Sequence, residues 1–215
     1  MACEHCEGAD RLFDLKGAKK ELKVYKKRGA LKATRHLIEL LEEESFKDKS
    51  LLDIGGGIGI LQWNHLENNG RDTTGVDASS GYLNIAEEVA NEKGLSDKTR
   101  FLFGDFLDVH ADIPEHDFVT MDKVICCYPD YKTLIKTASS KSKELLAVSF
   151  PMDGIIAEFA QWLGIMFMKY IKNNPFRPYV HPVREIERVI SESGFDLISQ
   201  SRSFPWHIRV YKRNN

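Results

Sequence analysis

The residues with the most chemistry in their spacing lie between positions 49 and 62, Lys-Ser-Leu-Leu-Asp-Ile-Gly-Gly-Gly-Ile-Gly-Ile-Leu-Gln. Leu51, Leu52 and Ile54 form a short apolar run that reads as a buried strand, with Asp53 near its end. Glycines follow, then an apolar segment with helical spacing. A strand, a glycine turn and a helix bring a nucleotide-like ligand against bare main chain. Glycine suits the turn because a Cβ would strike the ligand and because some turn positions need positive φ. Two versions of this unit do not fit the spacing. A Gly-x-Gly-x-x-Gly frame begun at Gly55 meets Ile60 at its third glycine, and one begun at Gly57 meets Gln62. No Gly-Lys-Ser or Gly-Lys-Thr follows, so a nucleoside-triphosphate loop is ruled out. What remains is Asp-x-Gly-x-Gly-x-Gly on Asp53, Gly55, Gly57 and Gly59. The plain alternative is a glycine turn that holds nothing.

Further acids fall at strand ends. Thr73-Thr74-Gly75-Val76 is a β-branched run closed by Asp77, 22 positions after Gly55. An acid there stands beside the first turn and can accept both hydroxyls of a ribose. Its other reading is a helix cap, since Ser79 and Ser80 open the next helix. Arg100 to Phe103 reads as a third strand running into Gly104-Asp105-Phe106, and Phe118 to Ile125 as a fourth. That fourth strand leads through Asp122 and Lys123 into Cys126-Cys127-Tyr128-Pro129-Asp130-Tyr131. In open parallel sheets ligands lie at the carboxyl ends of strands, so this stretch floors the expected site. Tyr128, with its phenol on an apolar ring, is the candidate for holding a reactant. Cys126 and Cys127 are either small buried hydrophobes or thiols at the site, with burial expected for at least one. His181, in the loop Asn173 to Pro182, is the candidate general base. A single histidine is more often structural.

Asp14 to Glu44 has helical periodicity, divided in two by Gly29. Helices are expected over about Ile58–Leu66, Ser80–Lys93, Tyr131–Ser140 and Val183–Ser193, and a fifth strand over Leu145–Phe150. Phe195–Arg202 and His207–Lys212 read as a terminal antiparallel pair. Strands alternating with helices imply an α/β sheet covered on both faces. Ile155 to Ile171 is apolar nearly all round, unlike a one-faced surface helix, and is expected to be a lid over the site, a core helix or an interface.

The motifs at Asp53–Gly59, Asp77, Asp105–Phe106 and Asp122–Tyr128 occur in the order found in class I S-adenosylmethionine-dependent methyltransferases, and residues 51 to 150 resemble that family. The Asp-Lys-Val-Ile-Cys-Cys-Tyr-Pro-Asp stretch and the Tyr-Val-His-Pro loop look closest to its small-molecule branch, which includes magnesium-protoporphyrin O-methyltransferases. The resemblance implies a Rossmann-like seven-stranded sheet, mostly parallel with an antiparallel C-terminal hairpin. It also implies a tail and helical cap over residues 1–48, a cofactor domain over 49–215 and a helical insertion near 152–182. It assigns S-adenosylmethionine to Asp53, Gly55, Gly57, Asp77, Asp105, Phe106 and Asp122. Asp105 would meet the adenine amino group and Phe106 its ring, while Tyr25 or Arg28 would face the amino-acid end. Tyr128 and His181 would place the acceptor, a small and hydrophobic molecule methylated at oxygen or carbon. No Asn-Pro-Pro-Tyr motif follows the fourth strand, which argues against methylation of nucleobase amino groups. Rival readings are a thiol or metalloid methyltransferase that uses the cysteines, and a module that binds the cofactor without catalysis.

Composition bounds these readings. The 215 residues carry 30 basic and 32 acidic side chains, a net charge of -2, so no global field favours nucleic acid. No uninterrupted apolar window spans about 20 residues, so no membrane span is expected. The first 15 residues are charged and lack the apolar core of a signal peptide, so no signal peptide and a cytoplasmic location are expected. Cys3, His5 and Cys6 make half a zinc site that Cys126 or Cys127 could complete only if the tail folded back, and of that adjacent pair only one would naturally reach, so a reduced tail and no metal are expected.

Overall fold

The structure is a computed structural model that describes residues 8, 10–154 and 177–214. The tail cysteines Cys3 and Cys6, the apolar stretch from Ile155 to Ile171 and most of the expected insertion lie outside the described residues.

Two long helices precede the sheet among the described residues, α1 (Leu15–Arg28) and α2 (Lys32–Glu42). The sheet then begins with β1 (Ser50–Ile54), and α3 (Ile60–Glu67), β2 (Asp72–Asp77), α4 (Ser80–Glu92) and β3 (Thr99–Phe103) follow. A single turn, α5 (Phe106–Val109), precedes β4 (His116–Asp122), α6 (Tyr131–Ser140) and β5 (Ser142–Pro151). The chain closes with α7 (Val183–Glu192), β6 (Phe195–Ser203) and β7 (Trp206–Arg213). The seven strands lie in the order β3-β2-β1-β4-β5-β7-β6. β1 to β5 are parallel, and β7 inserts antiparallel between β5 and β6. The expected seven-stranded Rossmann-like sheet with its antiparallel hairpin is therefore the observed one.

Alternate residues of each strand serve opposite faces. Leu52, Val119, Met121, Leu146 and Val148 pack towards α6 and α7, against Leu134, Ile135, Val189 and Ile190. Leu51, Phe118, Leu145 and Ala147 point the other way, against Leu37 and Leu41 of α2. α1 lies over α4, with Ala18 fully buried in a third cluster with Trp63, Ile85 and Val89. Gly81 permits this close approach, since a Cβ there would lie 2.8 Å from Leu15 Cα.

One boundary differs in a way that shapes the site. The fourth strand was expected to run to Ile125 but ends at Asp122, because Lys123 takes a left-handed φ of 64°. The chain then turns into a short 3-10 segment, Ile125–Cys127. Its apolar composition resembles strand, and no glycine marks the turn.

Candidate active site

The glycine turn sits at the carboxyl end of β1. Gly55, Gly57 and Gly59 have φ of 66°, 55° and 91°, the left-handed region that glycine enters without strain. The space around the turn corrects the reason for bare main chain. A Cβ on Gly55 would strike Val124, and one on Gly56 would lie 2.8 Å from Asp53 Oδ2 and 2.7 Å from Gln62 Nε2. Protein atoms, before any ligand, forbid side chains at these two positions. At Gly57 a Cβ would only touch the Tyr82 ring at 3.6 Å, so its φ is the constraint.

Asp77 ends β2 beside this turn. Its Oδ2 accepts from Gly57 N at 2.9 Å and its Oδ1 from Ser79 N at 2.8 Å, while the cap of α4 is the Ser79 hydroxyl. Each oxygen thus takes one amide, and a carboxylate has acceptor sites for more. Burial pushes Asp77 up to about 6, against the pull of the two amides. Asp53 lies under the turn, 1% exposed, with Oδ1 accepting from Thr120 Oγ1 at 2.6 Å and Oδ2 from Gln62 Nε2 at 3.4 Å. Burial raises it to about 7, and Asp122 and Asp77 add to the rise.

Asp105 caps α5 through Leu107 N, and its Oδ1 also accepts from Tyr128 Oη at 2.7 Å. Phe106 is buried in the core below. At the end of β4, Asp122 Oδ2 takes hydrogen bonds from Thr34 Oγ1 at 2.6 Å and from Lys123 Nζ at 2.7 Å, and Oδ1 takes one from Ser149. Lys123 Nζ also donates to Thr34 Oγ1 at 2.6 Å and stands 6.0 Å from the centre of the Trp206 ring.

These residues surround a cavity of about 730 Å³ between the sheet's carboxyl edge and the two N-terminal helices. Its wall includes the main chain of Gly55 to Gly57, Asp53, Asp77, Phe106, Asp122, Lys123, Tyr128 and Trp206. Tyr25 lines it from α1, as one of the two residues expected to face a ligand from there. Asp105 joins the wall through Tyr128. His181 is placed differently: its Nε2 donates to Tyr128 O at 2.9 Å, and its ring stacks on Tyr131 with centroids 4.1 Å apart. Burial lowers its pKa. The ring supports the backbone under Tyr128 and stands behind the cavity wall.

Residues 25–200 match the family described as "Methyltransferase domain". The chain belongs to that family. Protein arginine N-methyltransferase 1 of Saccharomyces cerevisiae is 38% identical over 77 residues, which cover 36% of this chain and 22% of that protein. Sterol 24-C-methyltransferase of Pneumocystis carinii is 24% identical over 180 residues, covering 74% of this chain and 44% of that one. The chain thus spans less than half the length of either curated relative. Among solved structures, magnesium protoporphyrin IX methyltransferase from Synechocystis PCC 6803 with bound SAH superposes with a TM-score of 0.66. It is 19% identical, over 85% of this chain and 81% of that one, a likeness of fold.

In this methyltransferase domain several wall residues escaped the sequence reading. Thr34 and Trp206 arrive from α2 and from the start of β7, 172 positions apart in the chain, and only the tertiary fold brings both to Lys123. Tyr82, whose hydroxyl donates to Glu21 at 3.0 Å, ties α4 to α1 over the turn. The Tyr82 position had a signal, an aromatic one turn into the helix after Asp77, but helical spacing alone makes it a core residue.

Proposed function

We propose that this chain binds S-adenosylmethionine above the glycine turn and transfers its methyl group to a small, largely apolar molecule, at oxygen or carbon. The observation that carries the reading is Asp77, whose carboxylate ends β2, faces the turn across one hydrogen bond to Gly57, and lies on the wall of a large cavity. The cavity suits that cofactor on charge as well as shape. Asp53, Asp77 and Asp122 stand close enough for the other two to raise Asp53, and among the described residues neither Asp53 nor Asp77 has an ion-pair partner. A ligand carrying a sulfonium and an ammonium relieves that crowding.

In this reading Asp77 takes the ribose hydroxyls, Gly55 and Gly57 offer main chain, and Asp105 reaches the adenine amino group, while Phe106, buried in the core, backs that end of the cavity from below. Asp122, held by Thr34 and Ser149, faces the amino-acid end. Asp53 keeps the turn in shape from below, tied to Thr120 and Gln62. The cofactor supplies an electrophilic methyl on a positive sulfur. The protein's part is alignment and the exclusion of water, so no strong acid-base pair is required unless a hydroxyl acceptor must lose its proton. Tyr128, positioned by Asp105 above and by His181 below, places the acceptor. Leu31, Val24 and Trp206, elsewhere on the cavity wall, suit an apolar body. His181 is a positioning residue.

The thiol rival has Cys126 and Cys127 on the same wall. Cys127 is held well above the ordinary thiol range by the neighbouring Cys126 and by burial, while the same pairing lowers Cys126, so a thiolate on this wall would be that of Cys126. The test is transfer of a labelled methyl group from S-adenosylmethionine into organic-extractable small molecules. We expect labelled product with wild type and with Cys126→Ser and Cys127→Ser alike. Binding of the cofactor with no labelled product from any extract would contradict the transfer reading, and loss in the serine variants would favour the thiol rival. No helix among the described residues is long and apolar enough to cross a membrane.

A further inference from the structure

We infer that the N-terminal helical cap is a docking surface for an anionic lipid bilayer, which sets the cavity mouth against the membrane. The charge distribution comes first. Residues 15 to 35 hold nine Lys and Arg against a single acid, Glu21, in a chain whose net charge is -2. The remaining residues therefore carry ten net negative charges, and the basic excess is concentrated on α1 and the start of α2. Lys16, Lys20, Lys23 and Lys27 recur at three- and four-residue steps, so they form one stripe on α1, all exposed, on the side away from buried Ala18. Lys19, Lys23, Lys26 and Lys27 also border a shallow groove over Leu22 and Ile85, between α1 and α4, with Glu88 on the α4 side and Lys26 paired to Glu92 at 3.0 Å.

Exposed apolar side chains stand beside this charge. Leu15, Val24 and Leu31 project from the cap, Leu31 with 57% of its surface exposed, and Val24 and Leu31 are also cavity wall. Phe204, 86% exposed, caps the β6–β7 turn. That turn lies at the carboxyl end of β5, where Pro151 pairs with Trp206, so it is on the same edge of the sheet as the cavity. Separate apolar projections around a mouth, set among cations on long flexible stems, are the chemistry of the lipid interface. A polyanion such as RNA uses the cations and leaves the apolar residues without a role. The rest of the chain, net negative, is repelled by the same surface. The inference does not depend on methyl transfer, because docking needs neither cofactor nor acceptor.

The test is co-sedimentation of the whole chain with vesicles of phosphatidylcholine alone, or of phosphatidylcholine with phosphatidylglycerol, at low and high salt. Binding is expected to the anionic vesicles only, weakening as salt rises. Each basic residue near such a surface contributes on the order of 1 kcal/mol, so Lys16→Glu/Lys23→Glu/Lys27→Glu should lower partitioning at least about tenfold. Its thermal midpoint and its affinity for S-adenosylhomocysteine should stay at the wild-type values. Leu15→Ser/Phe204→Ser should weaken the binding that survives at high salt. Absence of binding to anionic vesicles at low salt, or equal binding to neutral ones, overturns the inference. So does charge reversal without effect. Binding of single-stranded RNA at least as tight as vesicle binding, with Leu15→Ser/Phe204→Ser unchanged on vesicles, assigns the cap to nucleic acid instead.

Discussion

The two halves of the cavity are built differently. On the β1–β2 side, main chain does the work: left-handed glycines at 55, 57 and 59 shape the turn, and amides of Gly57 and Ser79 hold Asp77. On the β4 side, side chains hold one another. Thr34, Lys123 and Ser149 converge on Asp122, Asp105 grips Tyr128, and His181 props the backbone beneath. The first half needs particular residue types at fixed spacing, because only glycine and a strand-ending acid meet its backbone geometry. The second half needs only that some polar side chains arrive from somewhere, and many combinations satisfy it.

The sharpest way to break this contrast is Gly55→Ala, where a Cβ must displace Val124 at the start of the other half while holding a φ of 66°. Overpacking and a left-handed alanine together should cost about 3 kcal/mol or more. Denaturant unfolding checks this, and Val124→Ala in the same chain should restore part of the loss. If the double variant is no more stable than the single, the two halves are not in the contact described.

Next in size is Asp53→Asn. The folded chain holds the Asp53 proton up to about pH 7, whereas the unfolded carboxyl releases it near 3.8. The native state therefore binds the extra proton between those values, and the buried group's contribution to stability falls as pH rises through that window. Asparagine has no such penalty, and Gln62 Oε1, without a partner at present, can turn to accept from it. The variant's advantage over wild type should grow from pH 4.5 to pH 8, reaching about 2–4 kcal/mol, as read by unfolding curves at both values. An advantage that is flat with pH would show that the carboxyl is not raised.

A smaller effect is expected at His181→Gln. Loss of the bond to Tyr128 O and of the stacking on Tyr131 should cost about 1 kcal/mol of stability. Turnover at saturating acceptor should stay within about threefold, with any change appearing in KM. A hundredfold fall in kcat would restore His181 as a catalytic base.

The same contrast explains what was legible in the sequence. Asp53 to Gly59 and Asp77 stand out because their backbone demands leave a residue signature, and the succession of strands and helices follows from the alternation of apolar runs and helical periodicity. Thr34 and Trp206 left no trace, since each looks like an ordinary member of its own element. The turn at Lys123 was hidden for a related reason: a left-handed lysine carries no sequence mark, and the apolar Val124-Ile125 beyond it continues the strand pattern. His181 drew attention by its aromatic and proline neighbours, which surround it structurally. The pattern of types showed that it was enclosed, without showing on which side of Tyr128 it lay.

The central claim, that the carboxylate at the end of β2 holds the sugar of an adenosyl ligand, is tested most directly by calorimetric titration of S-adenosylhomocysteine into wild type and Asp77→Ala. The account predicts binding to wild type that strengthens as pH rises through about 6, where Asp77 ionises. It predicts a loss of about 1–3 kcal/mol in the variant. Equal affinity in both proteins across that pH range would contradict it.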